Sequence, residues 1–227
     1  MRAKFGTIGG TVASGAALVA TGLLAARPWF LRWGATDTEV NGTWPGDEMS
    51  PDPRSEATRA ITIHAPAEEV WPWIVQIGQD RGGFYSYTWL ENLVGAQMHN
   101  ADTILPGLTR QVGDTVWMAP PYKYEGKGCS RLARVDPERA LVMVTPEDYD
   151  AVRKTGIAPH GTWAILLQPI DDQTTRLVVR SRSGPKEGAV RFLLFDPAHF
   201  IMERKMMLGI RDRAEAWAAR KLVAQAA

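Results

Sequence analysis

The sequence predicts an α+β fold in which a strand, two short helices, about five more strands and one long C-terminal helix follow in that order. Three observations carry this expectation. Ile61 and Ile63 alternate with Thr62 and His64 over Thr58 to His64, the period-2 pattern of a strand with one buried face. Further extended runs succeed one another between Asp114 and Ser183. From Asp196-Pro197 to about Val223, Met202, Met206, Ile210, Ala214 and Trp217 fall on one helical face, with Arg204, Arg211 and Glu215 opposite.

After the first strand, Pro66 stands at the helix position that accepts proline best, and Glu68 and Glu69 place negative charge in the first turn, where the helix dipole favours it. Val70, Trp73, Ile74 and Ile77 recur at helical spacing, so this helix packs on the strand; Pro72 is expected to kink it. Gly78 ends it and Gly82-Gly83 forms a corner. A second short helix then starts at about Tyr85 or Ser86, with Trp89, Leu90, Leu93 and Val94 on one side.

Residues 95–113 lack a sustained period and are expected to form a long crossing. Strands are expected at Asp114 to Met118, Gly128 to Val135, Ala140 to Thr145, Gly161 to Gln168 and Thr174 to Ser183, the last two joined as a hairpin through Pro169-Ile-Asp-Asp-Gln173. Pro146 to His160, between the hairpins, reads as a long loop of the kind that rims functional sites. In the last strand Leu177, Val179 and Ser181 alternate with Arg176, Arg180 and Arg182, which predicts one buried and one cationic face. Lys186 to Phe195 is expected to form a helical piece ending in the apolar Phe192-Leu-Leu-Phe195.

With 227 residues, 45% of them hydrophobic, and a net charge of +1, the chain holds one domain of ordinary size plus additional segments. The charge balance and the lack of a basic tract argue against a nucleic-acid surface. Cys129 is the only cysteine, so an internal disulfide and a cysteine-based metal site are excluded.

Residues 1–33 read as a membrane anchor. Phe5 to Ala26 carry no charge and as a helix would reach about 33 Å, the thickness of a hydrocarbon core. Trp29, Phe30 and Trp33 with Arg27 and Arg32 form the aromatic and cationic belt of a membrane interface. A cleaved signal peptide is the rival reading, with Leu24 too large for its cleavage site. Two basic residues flank each side of the run, so the side of the membrane is not assigned. Residues 34–56, rich in Gly, Pro, Asp, Ser and Thr, read as an extended solvated tether, 57–223 as the domain and 224–227 as a tail.

That order of elements, with WPWIVQIG after the first strand and a long C-terminal helix, resembles the START-like superfamily (SRPBCC; polyketide cyclase/dehydrase and lipid transport) over residues 57 to 220, and the runs RPWFLRWGAT, ATRAITIHAPAEEVWPWIVQIGQDRGGFYSYTWLENL, MHNADTI and LGIRDRAEAW look like a membrane-anchored bacterial subgroup within it. The resemblance implies a helix-grip fold, a curved antiparallel sheet around a long C-terminal helix with a cavity between them. It does not fix an activity, because one scaffold hosts carriers, receptors and enzymes.

Tyr85, Trp89, Trp117 and Trp163 are the expected apolar wall of such a cavity, or equally part of a packed interior. Met202 and Met206 are suited to a variable apolar guest and equally to ordinary core. His199 and Glu203, spaced i and i+4 on the face that should be apolar, are either a mutually satisfied pair, the polar end of a cavity, or solvated surface near the helix start. His99, Asn100 and Asp102 form a second polar group, either a cavity mouth or a capped turn.

No metal-ligand spacing among His64, His99, His160 and His199, no P-loop and no dinucleotide motif is present, so neither a metal nor another cofactor is expected. The leading expectation is a membrane-tethered binding domain for a small hydrophobic or amphiphilic ligand or lipid. The alternatives are a cyclase or dehydratase using His99 with Asp102 or His199 with Glu203, and an interaction module that meets its partner through Arg176, Arg180 and Arg182.

Overall fold

In the computed structural model, which describes residues 21–184 and 195–226, the extended runs form six strands: β1 (Ser55–Ile63), β2 (Thr115–Trp117), β3 (Cys129–Asp136), β4 (Ala140–Val144), β5 (Gly161–Asp171) and β6 (Thr174–Ser183). They pair into one antiparallel sheet of order β1-β6-β5-β4-β3-β2. The helices are α1 (described over 21–31), α2 (Asp37–Asn41), α3 (Ala67–Val75), α4 (Thr88–Leu93), α5 (Pro146–Thr155) and α6 (Asp196–Ala226).

Alternation along the strands makes two cores. Ile61, Ile63, Leu141, Met143, Ile165, Leu167, Leu177 and Val179 point to the inner face, where they pack with Trp73 and Ile74 of α3 and with Met206, Met207, Ile210 and Ala214 of α6. Ala60, Ala140, Val142, Ala164, Leu166 and Val178 point the other way and pack with Ala35, Trp44 and Met49.

That second core corrects the expectation for residues 34–56. They do not run as a solvated tether: α2 and a 3-10 turn at Asp47–Met49 lie against the outer face. The reason is charge. Arg176 pairs with Glu39, Arg180 with Asp47 and Glu56, and Arg182 with Asp47 and Glu56, at 2.6 to 3.3 Å. Thr36 and Glu39 also form a reciprocal capping box that fixes the start of α2. The cationic strip predicted on β6 is therefore covered by its own chain, and Arg180 is 4% exposed.

The aromatic belt is likewise partly inside the protein. Phe30 is buried and stacks on Phe200 of α6 at 5.7 Å, Trp29 and Trp33 meet the same ring edge-on, and Arg204 lies over Trp33. Arg27 binds Asp196 and Ser55. Residues 1–20 of the expected anchor lie outside the described residues, and so does most of Phe192-Leu-Leu-Phe195. Among the described residues no helix is long and apolar enough to cross a membrane.

Pro146 to His160, expected as a loop, contains α5. Thr145 caps it by accepting from the Asp148 amide, Pro146 begins it, acidic residues occupy its first turn and basic residues its last, and Gly156 ends it in the left-handed region.

The crossing 95–113 is ordered by two buried polar side chains. Gln76 donates to the Thr103 carbonyl and accepts from the Leu105 amide. Arg110 donates to the carbonyls of Val75, Ile77 and Thr115, satisfying the open end of α3, and burial lowers its pKa to about 10.

α6 is seated on the rest of the fold at two points. Arg59, on the inner face of β1 with Ile61 and Ile63, forms a buried ion pair with Glu203. At the second, a Cβ on Gly209 would stand 2.4 Å from the Tyr85 carbonyl oxygen, so only glycine lets α6 approach the connection between α3 and α4. Tyr85 itself is left-handed at φ 57°, held by its amide donating to Asn100 Oδ1 at 2.7 Å while Asn100 Nδ2 donates to the Ser86 carbonyl.

Glu203→Gln leaves Arg59 charged and buried, and is expected to cost about 3–5 kcal/mol in urea unfolding, with Arg59→Met/Glu203→Met costing less than either single variant. Burial alone would raise the Glu203 pKa; the Arg59 charge, His199, and hydrogen bonds from Arg59 and Trp163 outweigh it and hold the carboxyl below its ordinary 4.5. The stabilisation is thus present above the ordinary carboxylate range and is lost as pH falls through the depressed folded value, so the acid-side loss of Tm should be shallower in Glu203→Gln. Gly209→Ala should lower stability by about 1–3 kcal/mol through the clash with Tyr85, read from the same unfolding curves.

Candidate functional site

The space between sheet and α6 is filled under the middle of the helix and open at its start. Met207, Ile210 and Ala214 are fully buried against the inner-face core. Toward Asp196, two hollows of about 340 Å³ and about 300 Å³ share the wall residues Met118, Trp163, Phe195 and His199. Each is of the size of a small-molecule site.

The smaller hollow is mostly apolar. Phe84, Val94, Ala96, Met98, Met118, Trp163, Met202 and Met206 line it, together with the polar side chains of Ser86, Glu91, His199 and Glu203. Its wall is built by stacking: Phe84 lies parallel to Trp163 at 6.2 Å, Trp163 meets His199 edge-on at 6.1 Å, and Phe195 stacks on His199 at 5.5 Å. Ser86 donates to the Met202 carbonyl at 2.9 Å, closing α6 against the corner before α4.

The larger hollow is more polar. Ser130, Thr145, Thr162, Ser181 and Arg182 contribute to its wall, with an Asp148–His160 pair at 2.6 Å between Asp148 Oδ1 and His160 Nδ1.

Glu203 sits behind the shared wall with both oxygens engaged. Oε2 takes Arg59, whose Nε donates to the Phe30 carbonyl at 2.7 Å, and Oε1 takes the Trp163 Nε1–H at 2.8 Å. His199 Nε2 stands 3.7 Å from Oε1, too far for a hydrogen bond. The cluster therefore positions Trp163 and His199 as wall. The Arg59 charge lowers the proton affinity of Glu203, which makes it a poor base toward a guest.

Glu91 behaves differently. Its Oε2 is buried and accepts no hydrogen bond from the described residues, and burial pushes its pKa up to about 7.

Of the residues singled out in the sequence, the structure brings Trp163, His199, Met202, Glu203 and Met206 together at the hollow. The others go elsewhere. Tyr85 is core: it is 1% exposed and its hydroxyl donates to the Trp73 carbonyl at 3.0 Å. Trp89 is 65% exposed on α4 and Trp117 is half-buried on β2, outside the hollow's wall. His99 is exposed, Asn100 braces Tyr85 and Ser86, and Asp102 pairs with Arg213 at the surface, 2.7 Å apart. The His99–Asp102 group is thus a braced turn and not a cavity mouth.

Sequence reasoning missed Phe84, Ser86, Met98 and Met118, which come from connections with no period, and Glu91, which sits on the short helix α4. Arg59 left a signal. It shares a strand face with Ile61 and Ile63, and a charge on a buried face needs a partner.

No protein-family model matches the sequence, and no curated protein does. Solved structures are similar at low identity. Protein NE0264 from Nitrosomonas europaea is 12% identical with a TM-score of 0.42, over 71% of this chain and 94% of that one. The Aha1 dimer from Colwellia psychrerythraea is 13% identical with a TM-score of 0.39, over 71% and 96%. CalU16 from Micromonospora echinospora is 19% identical with a TM-score of 0.31, over 72% and 86%.

Proposed function

We propose that this chain is a membrane-tethered protein of helix-grip type that binds a small hydrophobic or amphiphilic molecule in the hollow at the start of α6. One observation carries the reading: a space of about 300 Å³, walled mainly by Phe, Trp, Met and Ala side chains, stays unfilled beside an otherwise solidly packed helix. Methionine and stacked aromatic walls adjust to guests of varied shape at small cost. Binding is favoured over proton-transfer chemistry by Glu203, because its ion pair with Arg59 and its bond from Trp163 hold it ionised with lowered proton affinity. An interaction surface made of the β6 arginines is disfavoured, since residues 39–56 cover them.

The tether rests on the uncharged run Phe5 to Ala26. Because residues 27–33 pack on α6, an anchor there would hold the hollow near the lipid surface, where apolar ligands concentrate.

Ala96 is 5% exposed and lines the hollow. Ala96→Phe should fill it and weaken uptake of the apolar fluorophore N-phenyl-1-naphthylamine at least about tenfold, or 1.4 kcal/mol, by fluorescence titration. No binding of that fluorophore by the unaltered chain would defeat the reading. Deleting residues 5–26 should move the protein from the membrane pellet to the soluble fraction after carbonate extraction; retention in the pellet would remove the tether.

A further inference from the structure

The smaller hollow contains a polar atom that no group among the described residues satisfies. Glu91 is on α4, whose exposed side carries Trp89 and Leu93, but its own carboxylate turns into the hollow among Phe84, Val94, Ala96, Met98 and Met118. Its Oε2 is shut from solvent, with no donor among the described residues. A buried carboxylate oxygen is normally bonded, so an orphan facing an empty space marks the place of a missing partner.

The remaining titratable groups on this wall come from α6. Glu203 is neutralised by Arg59 and bonded by Trp163, while His199 is sandwiched by Phe195 and Trp163. β5 contributes Trp163, the residue after β2 contributes Met118, and the turn after α4 contributes Val94, Ala96 and Met98, none of them charged. Lys123 lies against Gly95 in the turn after α4 but is not part of the wall, so no cation among the described wall residues meets Glu91.

Resting on the binding role proposed above, we infer that Glu91 is the polar anchor of the site and that the ligand it selects is an amphiphile with an amine head. An ammonium head supplies both a donor and the opposite charge, so head and carboxylate enter the apolar wall as one neutral unit. A hydroxyl head supplies a donor but leaves the charge uncompensated. A carboxylate head places two like charges together in a region of low polarity.

The same geometry makes the selection depend on pH. With burial raising Glu91 to about 7, the carboxyl is neutral in mild acid and ionised in mild base, whereas an alkylamine stays protonated throughout. Retention of an amine should therefore strengthen as pH rises through neutrality.

The test uses the full-length chain, with octylamine, octanol and octanoate as probes, titrated calorimetrically at about pH 5.5 and about pH 8.5. Octylamine should bind about 30-fold more tightly at the higher pH, the ratio of ionised Glu91 at the two values, and octanol about equally at both. Glu91→Gln should abolish the pH gain for octylamine and keep octanol binding, which also verifies that the variant's hollow is intact.

If octylamine and octanol bind alike and Glu91→Gln changes neither, the anchor role is overturned while the apolar hollow stands. Preference for octanoate overturns the amine assignment. Full pH dependence surviving in Glu91→Gln assigns the titration to His199 and removes Glu91. If none of the three probes binds the unaltered chain, the hollow is not a ligand site and both proposals fall together.

Discussion

Arg59 occupies a place that the alternation of β1 reserves for an apolar side chain, and the fold is arranged around supplying what its charge requires. A guanidinium on the inner face has no water to solvate it, so other elements must bring the acceptors. Glu203 comes from α6, the Phe30 carbonyl from the end of α1, and the ring of Phe200 lies under the guanidinium at 5.4 Å. Trp163 of β5 donates to the other oxygen of the same carboxylate. Four separated parts of the chain are thereby fixed around one charge. The wall shared by the two hollows is the outer surface of that cluster.

The long helix serves two purposes along its length. At Gly209 it comes so close to Tyr85 that no side chain fits between them, and from Met206 to Ala218 its buried face is continuous with the core. Nearer its start, Met202 and His199 face open space instead of sheet side chains. Close approach at one point and separation at the other make the unfilled volume a consequence of how the helix is seated. The carboxylates on either side of that volume differ for a physical reason: Glu203 faces a buried cation and is held ionised, while Glu91 faces apolar groups and is pushed toward its neutral form.

The outer face of the sheet solves an opposite problem. Three arginines on β6 would make a repulsive cationic strip, yet Glu39, Asp47 and Glu56 neutralise it from within the chain. Burial raises the proton affinity of Glu39, but hydrogen bonds and charge from Arg176 with the Thr36 cap outweigh it, so its pKa is lowered. Trp44, donating to the Glu39 carbonyl, packs with Met49 on the small residues beneath. A segment with little apolar content is thus folded by paired charge and one aromatic side chain.

The order of elements, the strand periods and the apolar stripe of α6 were legible from local sequence, because alternation and helical repeat are written residue by residue. α5 reads as a loop in the sequence: Thr145, Pro146, the acidic first turn and Gly156 mark its ends, but its few apolar residues give it a loop-like composition. Met202, Met206, His199 and Glu203 were singled out from helical spacing and Trp163 as a strand aromatic, but their roles were not legible: whether Glu203 is a proton carrier or a structural counter-ion depends on Arg59, 144 residues away. The docking of residues 34–56 and the orphaned oxygen of Glu91 also lay beyond local pattern. Both depend on which side chains remain opposite one another after the sheet and α6 have packed, a long-range outcome that composition and period do not encode.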